Sequence, residues 1–159
     1  MSMRRRQLLN ASSAFTLAAL LRPRPAAANE TSFCAPDNPL QALMDGNRRF
    51  RSAWQAAKND PEANLSRIDH LQRCFNPPAA LAESQQPWAT VLTCSDSRVS
   101  PTWVFDTTPG ELFVIRSAGN TAFTEGVASI EYSVSVLNTP LVMVMGHSGC
   151  GAIQAAMNE

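Results

Sequence analysis

Apolar residues along this chain change their spacing twice, and each change marks a different kind of element. Leu40, Leu43, Met44, Phe50 and Trp54 recur at intervals that keep them on one broad helical face. Asn38 supplies a cap and Pro39 a first helical position, so the pattern predicts a helix from Pro39 that closes between Lys58 and Pro61. From there to Pro78 only a weak helical stretch, residues 65–75, can be read. Beyond Pro87 the spacing gives way to short continuous apolar runs. Residues 89–93, 112–116 and 141–145 read as buried strands. Between the last two, Val127, Ile130, Val134 and Leu137 return to helical spacing and predict a crossover helix over residues 125–137. Strands alternating with helices argue for an α/β fold built on a parallel sheet.

The first 28 residues follow another pattern. Arg4, Arg5 and Arg6 precede an apolar stretch over residues 11–21, and Ala26-Ala27-Ala28 offers a small-residue cleavage site. The apolar stretch is too short to span a bilayer, which takes about 20 residues. Residues 1–28 are therefore read as an export signal, leaving no membrane anchor once it is removed. Arg5-Arg6-Gln7-Leu8-Leu9 resembles the twin-arginine signature, an address for folded proteins bound for a periplasm. An ordinary export signal or an uncleaved tail is the plainer alternative. Residues 29–36 read as a loose leader, and 29–159 as one domain, in keeping with the length.

Composition narrows the function classes. At 45% hydrophobic and 16% charged residues the chain lies in the ordinary globular range. Five of the thirteen basic residues precede Asn29, so the remainder, with thirteen acidic residues, is mildly acidic. No basic stripe follows, which sets nucleic acid aside as a partner.

The candidate chemistry lies just after two of the strands. Cys94 follows the first, in Thr93-Cys94-Ser95-Asp96-Ser97-Arg98, and His147 and Cys150 follow the third, in Gly146-His147-Ser148-Gly149-Cys150-Gly151. Each alone is a weak signal, since a lone Cys is usually a small buried hydrophobe. Together they form a set of soft ligands suited to one Zn²⁺ per chain, with a fourth tetrahedral position open. If Cys94 and His147 share one ion, the first and third strands must be neighbours. The predicted strand order is then 2-1-3, with the ion at the topological switch point. Asp96 and Arg98 could pair through a two-pronged hydrogen bond, or be an ordinary surface ion pair. Asp96 could also fill the fourth metal position and close the site. Cys34 and Cys74 could form a disulfide, but two free thiols are the favoured reading. His70 reads as a surface residue, and Trp54, Trp88 and Trp103 as packing residues.

The two motifs Cys94-Ser95-Asp96-Ser97-Arg98-Val99 and Gly146-His147-Ser148-Gly149-Cys150-Gly151 resemble the paired zinc motifs of β-class carbonic anhydrases. Gly46-Asn47-Arg48-Arg49-Phe50, Gly110-Glu111-Leu112-Phe113-Val114-Ile115-Arg116 and Ala118-Gly119-Asn120 add to the similarity, which runs from Pro39 to Ile153. The resemblance implies zinc ligation by Cys94, His147 and Cys150, and a dyad in which Arg98 draws Asp96 away from the metal. It implies reversible hydration of carbon dioxide to bicarbonate and a proton by zinc-bound hydroxide, in a homodimer or higher homo-oligomer. The domain reads as C-terminally incomplete, because family members continue well past the point matching Glu159. Two alternatives stay beside this one: a catalytically silent, shortened zinc-binding protein, and a hydrolase acting on CS₂ or COS through the same site.

Overall fold

The computed structural model describes residues 33–60 and 75–158. Residues 1–28, read from the sequence as an export signal, the weak helical stretch at 65–75 up to residue 74, His70 and Cys74 lie outside the described residues. The first helix, α1 (Pro39–Asn59), begins where the cap predicts, with the Asn38 side chain accepting from the Gln41 N–H at 3.0 Å. A short α2 (Pro78–Glu83) leads to the central strand β1 (Ala89–Cys94). One turn, α3 (Pro101–Val104), precedes β2 (Leu112–Ser117). The crossover helix α4 (Thr124–Ser135) then leads to β3 (Val142–Met145), and α5 (Gly151–Met157) follows. None of the helices among the described residues is long and apolar enough to cross a membrane.

The sheet is parallel with order β2-β1-β3, as the shared-ion argument requires. Every residue of β1 is buried because the strand is flanked on both edges and covered on both faces. On one face Ala89 and Val91 pack with Leu43, Trp88 and Phe105, joined by Leu112, Met143 and Met145. Leu43 is fully buried there, worth about 1.5–3 kcal/mol in transfer terms. On the other face Thr90 Oγ1 and Ser133 Oγ meet at 2.8 Å and Phe113 lies 6.1 Å from Tyr132, which seats α4 over β1 and β2.

That seat corrects one expectation. The third strand was read as buried, yet Val142 and Val144 are exposed. The reason is that β3 lies at an edge, while α4 packs toward β1 and β2. The apolar face of α1 is a second correction: Leu40, Met44 and Trp54 are about half exposed, and only Leu43 of that set is buried. Trp103 is likewise 47% exposed, so of the three tryptophans Trp88 alone is a buried packing residue.

What docks α1 is polar and close-packed. A Cβ on Gly46 would sit 1.8 Å from the Phe105 carbonyl oxygen, so only glycine lets the helix lie on that backbone. Asn47 Nδ2 donates to the Val104 carbonyl at 3.2 Å, and Arg49 Nε donates to Asp106 Oδ2 at 2.5 Å. The Gly46-Asn47-Arg48-Arg49 motif thereby acquires a structural reason. The leader is corrected as well. Cys34 is buried, its N–H donates to Asn76 Oδ1 at 2.7 Å, and it is disulfide-bonded rather than a free thiol.

Candidate metal centre

The parallel register determines where the candidate ligands arrive. Cys94 closes β1 opposite Ser117, and Met145 closes β3 opposite Thr93. His147 therefore leaves its strand beside the end of β1, and the loop from Gly146 turns back through Gly149. Gly149 has φ of 64°, a left-handed conformation that glycine adopts without steric cost. The turn delivers Cys150 as the residue preceding α5.

The three side chains meet. Their ligand atoms all lie within 4.8 Å of one another, a group that could hold a metal ion. Cys94 Sγ and Cys150 Sγ are 3.8 Å apart, and both cysteines are free and buried. His147 Nδ1 lies 3.1 Å from the Ser148 carbonyl oxygen. Donation from Nδ1–H to that carbonyl leaves the lone pair on Nε2. His147 Nε2 is buried without a conventional hydrogen-bond partner, on a residue whose ligand atom lies within 4.8 Å of both sulfurs.

Electrostatics favour the thiolate. The facing His147 imidazole, followed by the Asp96 backbone, lowers the Cys94 thiol from 9.0 to about 6, with desolvation opposing. The Gly119 N–H, 3.3 Å from Cys94 Sγ, adds to the same effect. In return the Cys94 sulfur raises the His147 pKa above its ordinary value. The Gly119 contact was not legible as a site feature, although Ala118-Gly119-Asn120 stood out as a motif. Gly119 takes a positive φ of 67°, a conformation that glycine adopts without steric cost.

Asp96 and Arg98 form the two-pronged pair the sequence suggested. Arg98 Nε donates to Asp96 Oδ1 at 2.9 Å and Nη2 to Oδ2 at 2.6 Å, while the Arg98 backbone N–H reaches Oδ1 at 3.0 Å. The Arg98 guanidinium holds the Asp96 carboxyl well below the usual carboxylate range. Asp96 Oδ2 is 3.9 Å from His147 Nε2, yet Asp96 stands outside the group whose ligand atoms all gather. Arg98 Nη2 also donates to the Gly149 carbonyl at 3.2 Å, linking the two loops, a contact that spacing alone could not reveal.

Comparison with known proteins points the same way. Residues 89–159 match the family model described as carbonic anhydrase. Carbonic anhydrase 2 of Mycobacterium tuberculosis is 41% identical over 107 residues, covering 67% of this chain and 52% of that protein. Beta carbonic anhydrase 5, chloroplastic, of Arabidopsis thaliana is 42% identical over 83 residues, covering 48% of this chain and 28% of that protein. A solved structure of Coccomyxa β-carbonic anhydrase in complex with acetazolamide is 31% identical, with a TM-score of 0.48, covering 78% of this chain and 49% of that one. The chain spans about half the length, or less, of the curated relatives it matches. The sequence matches support the β-class carbonic anhydrase family and fold for this chain.

Proposed function

We propose that Cys94, His147 and Cys150 hold one zinc ion and that the site interconverts carbon dioxide and bicarbonate. The observation that carries this reading is the spacing of the ligand atoms. Two sulfurs each about 2.3 Å from one tetrahedral zinc would stand about 3.8 Å apart. The observed separation of Cys94 Sγ and Cys150 Sγ is 3.8 Å, with His147 Nε2 beside them. The donor set therefore fits the metal before any metal is added.

When bound, zinc supplies the Lewis acidity that makes a nucleophile of water near neutral pH. The chain supplies position and charge. Arg98 occupies both carboxylate oxygens of Asp96, which keeps that group ionised and supports a site whose fourth position stays open. Asp96, near His147, then serves as the acceptor that orients a reacting hydroxyl toward carbon dioxide. Hydration adds one water to carbon dioxide and gives bicarbonate, with one proton released to solvent.

Export to an oxidising periplasm is supported by the arginine-led pattern of residues 1–28 and by the disulfide at Cys34. Assembly with a second copy is supported by the apolar side chains left exposed on β3.

Stopped-flow measurement of carbon dioxide hydration by the zinc-loaded chain tests the activity. The expected result is proton release above buffer that is lost in Cys94→Ser. No release, with zinc bound at one per chain, would leave the second reading, a zinc-binding protein without catalysis.

A further inference from the structure

We propose that Arg116 is a positioning residue for this centre, a guanidinium clamp that fixes the loop carrying Cys94, Asp96 and Arg98. The inference rests on the zinc reading above and adds a residue to it. Arg116 lies near the end of β2, opposite Thr93 in the parallel register. Its Nε donates to the Cys94 carbonyl at 3.1 Å, and its Nη2 donates to the carbonyls of Asp96 at 2.7 Å and Val99 at 2.9 Å. Those three carbonyls run from the first ligand to the far side of the Asp96–Arg98 pair.

A chain leaving a strand presents carbonyls that the sheet no longer pairs, and each needs a donor. A backbone bond meets part of that need, Val99 N–H donating to the Asp96 carbonyl at 3.1 Å, while Ser95 N–H ties the loop to β2 by donating to the Ser117 carbonyl at 2.9 Å. Arg116 supplies donors to the carbonyls of Cys94 and Val99 and a second donor to that of Asp96, from one planar cation whose donors point in fixed directions. Arg98 does not share this task, because its donors go to the Asp96 carboxylate and the Gly149 carbonyl. All three Arg116 bonds end on backbone, so the residue acts through the loop rather than on a ligand atom.

The test is zinc affinity, by competition with a chromophoric chelator, together with the visible spectrum of the cobalt-substituted full chain. Wild type, Arg116→Lys and Arg116→Met are compared. Loss of an outer partner of a metal site costs about 10–100-fold in metal affinity. Both variants are expected to lose zinc affinity within that range and to show a shifted cobalt spectrum. In turnover, kcat should fall while KM for carbon dioxide stays put. Lysine keeps the charge without the fork, so a lysine variant with wild-type affinity and spectrum overturns the clamp. If the methionine variant proves unfolded by circular dichroism, the lysine variant decides alone. A wild-type chain that takes up no zinc overturns the zinc reading and this inference with it. Wild-type uptake with unperturbed variants overturns this inference alone.

Discussion

The two loops that build the centre are held in different ways. The loop after β1 is tied to β2 through Ser95 and through three Arg116 bonds, and it is braced internally by the Asp96–Arg98 fork. Among the described residues the loop after β3 is met from outside by fewer side-chain contacts, Arg98 donating to the Gly149 carbonyl and Cys94 Sγ lying 3.8 Å from Cys150 Sγ. One ligand of the three, Cys94, is thus placed by the protein. The other two ligands, His147 and Cys150, lean on those few contacts and gain most from a shared ion. Pre-placing one ligand lowers the ordering needed when the metal binds, while a yielding second loop lets the remaining ligands close on it.

The largest effect should come from removing a ligand on either side. Cys94→Ser and Cys150→Ser are each expected to lower zinc affinity by more than the roughly 100-fold reached by outer-shell changes. Calorimetric titration with zinc checks this, and an unchanged affinity in either variant would break the assignment. Asp96→Asn comes next. It should leave zinc at one per chain but reduce carbon dioxide hydration by about 10–100-fold, because the acceptor charge is gone while the ligands remain. Metal content and stopped-flow rates on one preparation separate the two quantities.

Stripping the metal gives a local effect. Hydrogen exchange should speed up more across residues 146–151 than across residues 94–99. Equal acceleration in both segments would show that the two loops are not held differently. The smallest effect concerns acid. Asp96 has its folded pKa held below the unfolded value of about 3.9, so its contribution to stability is present above that value. It is lost as pH falls further, toward the folded pKa. Urea midpoints of the metal-free chain should therefore favour wild type over Asp96→Asn at neutral pH, with the gap narrowing as pH drops below about 4. A gap independent of pH would contradict the pairing.

Much of this was legible in the chain. The three strands and the crossover helix follow from apolar spacing, and the strand order follows from asking Cys94 and His147 to share an ion. The Asn38 cap was readable because capping is local. The failures share a cause. Periodicity reports which side of an element is apolar, not what lies opposite. It could not show that Val142 and Val144 face an open edge, or that α1 docks through Gly46 and Arg49 more than through Leu40 and Trp54. The Gly119 N–H, the Arg116 clamp and the Arg98–Gly149 link join residues separated by 17 to 51 positions. No local signal encodes such contacts. Cys34 is a related case, since spacing cannot decide whether two distant thiols meet.

Zinc-edge X-ray absorption on the zinc-loaded full chain tests the central claim most directly. The account predicts two sulfur neighbours at about 2.3 Å and one imidazole nitrogen at about 2.0–2.1 Å. One sulfur should disappear in Cys150→Ser. A first shell without sulfur, or a sulfur count that does not change in that variant, would contradict it.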